Sequence, residues 1–377
     1  MKTIPKWVDV TVVPLLSLLF AAVLASLVIL AIGDNPVTAL VIMVKGALGS
    51  SYAWGYTLFY ATNFIFTGLA VSIAFQAKLF NIGGEGQATL GGLGVALVCL
   101  YIPMPHWTIS LIVASLSGAL FGALWALLPA ILQAKRGSHV VITTIMFNFI
   151  AAALLNFLLV GILHKSGSMD PATESFPATT NLPKLGEILE IFGIPFSQAS
   201  PANASLFIAL AACGLVWLIL WRTSLGYEIR AFGQSEPAAI YAGINPTKIV
   251  VVTMMLSGGL AGLMAINNVL GESQRLVLGA VEGAGFIGIA VALMGRSHPV
   301  GVLMASLLFG FLYQGGTELS LATGVPREMI VVIQSMVILF TGAWDNMTRD
   351  LVRSFLALRG PSRSDASVVL PKSTEAS

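Results

Sequence analysis

Two carboxylates stand where carboxylates are rarely tolerated. Glu85 sits in Phe80-Asn81-Ile82-Gly83-Gly84-Glu85-Gly86-Gln87, and Glu282 sits in the run Leu276–Met294; both stretches are otherwise apolar and rich in glycine. An ionisable group at membrane depth costs a few kcal/mol on insertion scales, so it marks either a polar pathway or an interface with water. Glycine lets the backbone leave helical geometry. A helix broken at depth survives only inside protein or beside a water-filled cavity. The 80–87 stretch therefore reads either as a broken helix offering N–H groups, Glu85 and Gln87 to a polar solute, or as an interfacial loop with a helix cap. Polar side chains elsewhere in apolar runs are candidates of the same kind: Asn63, Asn267, Asn268, Gln314, Glu318, and the set Thr144, Asn148 and Asn156. Spacings of four and eight put the last three on one helix face. That face either lines a path or bonds a neighbouring helix. Asn63, Glu85, Gln87, Asn148 and Glu282 are the expected pathway residues.

Other chemistries have no residues to carry them. His106, His139, His164 and His298 are isolated, and none begins an H-E-x-x-H pair. No lysine follows a glycine, so a G-K-[ST] phosphate loop is absent. Cys99 and Cys213 both lie in apolar runs and read as buried thiols, with no disulfide framework. No metal, cofactor or catalytic residue is expected, and a net charge of +2 gives no reason to expect nucleic acid. Any ATP used would be hydrolysed by another chain.

The elements that must position these residues follow from composition. Of 377 residues 56% are hydrophobic and 10% charged, against roughly 25% charged in a soluble domain. A soluble fold has no interior large enough for that apolar content, and disorder is excluded by the same numbers. Apolar runs fall near residues 10–32, 56–76, 86–102, 107–132, 141–163, 204–221, 247–269, 284–295, 299–317 and 327–344. Ten spans, each needing about 20 apolar residues, predict an all-α membrane protein with both termini on one side. The first run is longer than a signal-peptide core and lacks a cleavage site, so it reads as an uncleaved span. With the amino terminus inside, 14 of the 19 Lys and Arg fall in inside segments and 5 outside, which predicts that both termini are cytoplasmic. Residues 1–344 form the transmembrane domain. Within it, 164–203 is an outside loop with a short amphipathic helix over Lys184–Phe192, and 222–246 is an inside loop. Residues 345–377 read as a polar cytoplasmic tail.

Glu85-Gly86 and Glu282-Gly283 recur at an offset of 197, each opening a glycine-rich apolar run. On the expected topology the two runs point in opposite directions, which predicts two inverted, pseudo-related halves. Gly118-x-x-x-Gly122 and Gly258-x-x-x-Gly262 read as packing motifs that let helices approach closely. In the inside loop, Ser235 is a helix cap and Pro237 suits a first turn. The result is a short helix of small residues: a flat docking face, or a simple connector.

Four stretches together carry a resemblance: FNIGGEGQ (80–87), VITTIMFNFIA (141–151), SLGYEIRAFGQSEPAAIYAGI (224–244) and EGAGFIGIAVALMGRSHPVG (282–301). Over residues 10–345 the chain resembles the membrane permeases of bacterial ATP-binding-cassette importers for simple sugars and nucleosides, and most closely the longer nucleoside-type subunit. The resemblance implies that Glu236, Ala238, Ala239 and Gly243, interrupted by Pro237, form a coupling helix, supported by Gly226 and Arg230, that docks on a cytoplasmic ATPase. It implies a second homologous permease, two ATPase copies and an extracytoplasmic substrate-binding protein as partners, within membrane lipid. Nucleoside relatives often carry an acid just after the position of His139, where this chain has Val140. The alternatives are a simple-sugar importer and an ion-coupled secondary transporter using Glu85 or Glu282.

Overall fold

A computed structural model describes residues 19, 22–24, 26–30, 33–165, 167–281, 283–323, 331–332 and 335–336. Residues 1–36 with 331–377 form one compact unit and 37–330 another. The first expected span lies mostly outside the described residues. So do Glu282, nearly all of the span expected at 327–344, and the tail. Residues 22–24 and 26–30 of the first unit are helical; the rest of the fold concerns the second.

Among the described residues the regular elements are helices, joined by turns and loops that hold two isolated bridges. Its elements are α1 (Pro36–Leu48), α2 (Ser51–Gln76), α3 (Gly84–Tyr101), α4 (Trp107–Arg136), α5 (Val140–Val160), α6 (Leu185–Glu190), α7 (Ser205–Arg222), α8 (Ser224–Gln234), α9 (Glu236–Tyr241), α10 (Pro246–Leu263), α11 (Ala284–Met294) and α12 (Pro299–Thr323). A π-helical turn, Ile266–Ser273, continues α10. Among the described residues six helices are long and apolar enough to cross a membrane: α2, α4, α5, α7, α10 with its π extension, and α12.

Each apolar run expected between 56 and 317 coincides with a helix, and α6 falls within the amphipathic helix expected in the 164–203 loop. Helix ends follow from local chemistry. The Ser50 hydroxyl accepts from Ala53 N, so α2 starts at Ser51, five residues ahead of the expected 56. Gly137 ends α4 at φ +66°, a left-handed cap that glycine takes without strain. The apolar runs predict no span between 32 and 56, yet α1 lies there. Its 13 residues reach only about 20 Å, short of a membrane core of roughly 30 Å. It packs on α12, where Met43 meets Gly315 and Gly46 meets Glu318.

The two GxxxG motifs meet each other. A Cβ at Gly122 would lie 2.2 Å from Gly258 O, and one at Gly262 would lie 2.1 Å from Gly118 O. Gly91 of α3 also abuts Gly262, where a Cβ would sit 2.5 Å from its Cα. Helices α3, α4 and α10 therefore touch backbone to backbone, the close packing that small residues permit in a membrane.

The 164–203 and 222–246 loops lie at opposite ends of α2. Ser200 packs on Gly55 near its start. Gly233 of α8 packs on Gln76 at its end, where Gln76 Nε2 also donates to Ser297 O at 3.0 Å. With 26 residues, α2 separates those ends by roughly 39 Å.

Candidate functional site: a polar junction and two cavities

The chain leaves helical geometry between α2 and α3 over 77–83, just ahead of the glycines of α3, since Gly84 and Gly86 already belong to that helix. Ala77–Gly83 folds back into the bundle, and Asn81 reaches the level of Ala70: Asn81 Nδ2 donates to Ser257 Oγ at 2.8 Å, and Ser257 Oγ donates to Ala70 O at 2.6 Å. Asn81 and Gln87 pair amide to amide, Nδ2 to Oε1 at 2.9 Å and Nε2 to Oδ1 at 3.1 Å. Gly83 N also donates to Asn81 Oδ1. Three further backbone groups here are met by α5. Ile82 N donates to Thr144 Oγ1 at 3.3 Å, Asn148 Nδ2 donates to Ile82 O at 2.9 Å, and Gly86 N donates to Asn148 Oδ1 at 2.9 Å. Side chains thus replace the missing helical partners of this segment.

Glu85 closes the junction. Its two carboxylate oxygens accept from Gly283 N at 2.9 Å and Gly285 N at 3.0 Å, the first free N–H groups of α11. Gly285 lies so close that a Cβ there would be 2.3 Å from Glu85 N. The starts of α3 and α11 therefore face each other, and one carboxylate neutralises the partial positive charge of the α11 terminus.

A second polar cluster ties α2 to the π turn. Asn267 Nδ2 donates to Asn63 Oδ1 at 2.7 Å and to Phe59 O at 2.9 Å. Asn267 Oδ1 accepts from Asn203 Nδ2 at 3.0 Å and from Ser205 Oγ at 2.8 Å. Every polar atom of that side chain is satisfied, as burial requires.

Two cavities flank these clusters. The larger, about 480 Å³, is bordered by Glu85, Thr89, Asn148, Asn156 and Asn268 among small and aliphatic residues. The smaller, about 150 Å³, has a wall of Tyr56, Phe59, Tyr60, Phe64 and Tyr313, with Asn63, Asn268, Glu272 and Ser273 as its polar members. Of the expected pathway residues, Glu85 and Asn148 border the larger cavity and Asn63 the smaller. Gln87 borders neither; it is buried against Asn81. Thr144 and Asn148 bond to the α2–α3 break, while Asn156, further along α5, is exposed at the larger cavity.

Beside the end of α2 the 224–243 segment is firmly seated. Gly226 fits against α7, where a Cβ would lie 2.1 Å from Ile219 O, and Arg230 Nε donates to Gly226 O. Lys78 Nζ donates to Gln234 O, and Lys248 pairs with Glu228 at 3.4 Å. Ser235 Oγ accepts from Ala238 N, so Ser235 caps α9 as its position suggests. Ala239 is buried, whereas Glu236, Ala238 and Gly243 are exposed. Tyr241 is 97% exposed and Ile240 50%, an apolar tip with no neighbour to cover it among the described residues.

Comparison with known proteins bears on this arrangement. Residues 53–342 match the family described as branched-chain amino acid transport system / permease component. The chain belongs to this family. The permease is also 32% identical over 332 residues to the guanosine ABC transporter permease protein NupP of Bacillus subtilis, covering 88% of this chain and 92% of that one. It is 32% identical over 329 residues to the nucleoside ABC transporter permease protein NupB of Lactococcus lactis (87% and 89%). It is likewise 32% identical over 343 residues to the glucose ABC transporter permease protein TsgB13 of Haloferax volcanii (90% and 88%). No solved structure matches. The resemblance read from the four sequence stretches is therefore correct: the chain is a multi-pass membrane permease subunit, and not an enzyme.

Two sets of site residues were missed from sequence. Ser257 and Asn203 satisfy the junctions but stand in unremarkable surroundings, and Asn81, inside the 80–87 stretch, has no role assigned to it from sequence. The tyrosines at 52, 56 and 60 share an i, i+4, i+8 spacing that was legible, and only their meeting with Tyr313 shows what it builds.

Proposed function

We propose that the permease carries nucleosides inward as one subunit of an ATP-driven importer, paired with a second homologous permease, two cytoplasmic ATPase subunits and an extracytoplasmic binding protein. The observation that carries this is the similarity across nearly the full length of both chains to a guanosine and a nucleoside permease. The aromatic wall of the smaller cavity supports a solute with a flat ring, since rings stack on aromatic faces. Its glucose relative, at equal identity, keeps a simple-sugar importer as the second reading. An ion-coupled mechanism is less well served: both oxygens of Glu85 are already held by α11.

In this reading ten spans form two inverted halves, with both termini cytoplasmic. Supporting it, α3 and α11 begin face to face, and Lys78, Arg230 and Lys248 gather at one end of α2. That end carries the 222–246 coupling loop, and the 164–203 loop at the other end meets the binding protein. Helix α9 docks in the ATPase through its exposed face, with Glu236, Ala238 and Gly243 outward, while Gly226, Arg230 and Ala239 hold it to the bundle. Glu85, Asn148 and Asn63 line the passage. Glu282 is assigned to it by sequence, and Gln87 acts by holding the broken segment. Closure of the ATPase pair moves α8 and α9, and with them α2, α7 and α10.

The test is uptake of labelled guanosine and labelled glucose by cells expressing the complete importer. Guanosine uptake that stops when the partner ATPase loses its catalytic carboxylate is the expected result. Uptake that persists without a working ATPase would overturn the importer reading, and uptake of glucose alone would establish the sugar reading.

A further inference from the structure

Asn268 and the segment 278–281 are the residues bordering both cavities. They form the partition between an aromatic chamber and a larger one edged with polar groups. Asn268 Nδ2 donates to Ala280 O at 2.6 Å and so fixes the amide's orientation. Its other end is unlike any neighbour. Asn268 is 9% exposed, and its Oδ1 is buried with no hydrogen-bond partner among the described residues. The adjacent Asn267, in the same π turn, has both ends of its amide satisfied. A buried carbonyl oxygen without a donor is costly and uncommon. The residue itself borders both cavities, so a donor brought by an occupant is the partner that this covered oxygen gains when the partition shifts.

We propose that Asn268 is a solute-contacting, selecting residue: its carbonyl oxygen accepts a hydrogen bond from an N–H or O–H at the edge of a ring solute as that solute passes the partition. The face of the ring lies against the tyrosine wall, where Tyr60 and Tyr313 stand 4.4 Å apart and Tyr56 and Tyr60 6.3 Å. Solutes with an edge donor beside a flat face fit; purely aliphatic solutes leave the carbonyl unpartnered. This rests on the importer reading above and deepens it by naming the group that reads the cargo.

The test compares uptake kcat/KM of the complete importer for guanosine, 1-methylguanosine, 2′-deoxyguanosine and 3′-deoxyguanosine, with glucose and its deoxy derivatives run alongside. The wild type is expected to reject at least one donor-deleted analogue roughly tenfold, the value of one hydrogen bond to a buried acceptor. In Asn268→Ala that one ratio falls to about unity, because the acceptor it reports on is gone. Co-purification of the ATPase subunits with Asn268→Ala serves as the control for folding and assembly. Unchanged ratios in Asn268→Ala overturn the proposal, whichever solute series is carried, and a water molecule then satisfies the carbonyl. Loss of ATPase dependence in the wild type overturns the importer reading instead. If Asn268→Ala fails to reach the membrane, Asn268→Cys in a background with Cys99 and Cys213 replaced gives a second measurement. Protection from a thiol reagent by the transported solute is expected, and its absence overturns the proposal.

Discussion

At the scale of single residues, the side chain that closes the junction is Glu85. Removing it leaves Gly283 N and Gly285 N without their acceptors. Glu85→Ala is therefore expected to destabilise the permease by about 2 kcal/mol or more, since each abandoned buried donor costs roughly 1–3 kcal/mol. Glu85→Gln, which keeps one carbonyl oxygen, should lose less. Thermal unfolding of the detergent-solubilised complex measures both, and equal stability of Glu85→Ala and the wild type would refute the role. The importance of Glu85 was legible from sequence, because a carboxylate in an apolar run must be accounted for. Its partners were not legible: backbone N–H groups two hundred residues away leave no mark on composition or period. Gln87 shows the same limit. A polar residue at depth signals either a path or a brace, and only the position of Asn81 decides that this one is a brace.

At the scale of elements, the glycine contacts among α3, α4 and α10 leave no room for a side chain. Gly262→Leu puts atoms where Gly118 O already lies. Such overpacking costs about 1–3 kcal/mol and often more where the obstacle is backbone. Lower yield and a lower melting temperature of the purified permease are the expected outcome, while Gly214→Leu on α7, where a Cβ meets nothing within 4 Å, should be near neutral. Helix existence was readable because apolar runs longer than 18 residues have few other fates. Helix α1 was not, since 13 residues between a turn and a long span look like a connector until Met43 and Gly46 find α12. The GxxxG motifs announced close packing, yet nothing in either motif says that the other is its partner.

At the scale of the whole molecule, the seated elbow of α8 and α9 separates two kinds of substitution. Gly226→Asp drives a side chain into Ile219 O and Leu220 O, so it is expected to lower the amount of folded permease as well as uptake. Tyr241→Ala removes an exposed ring and touches no core. It should leave membrane level and stability unchanged while uptake falls roughly tenfold, the loss typical of an interface anchor. Uptake and blue-native gels of the assembled complex distinguish the two, and normal uptake by Tyr241→Ala would exclude α9's tip from the ATPase contact.

The seam of bare backbone between α4 and α10 also governs how force travels. Ordinary helix interfaces yield by letting side chains change rotamer, so neighbouring helices slip in small increments. Gly118, Gly122, Gly258 and Gly262 offer no such gears, and close-packed surfaces do not deform continuously. In the importer reading, a thrust delivered near Lys248 would therefore carry α10, α4 and α3 together, and the parts left to give way would be the hydrogen-bonded joints at their rim.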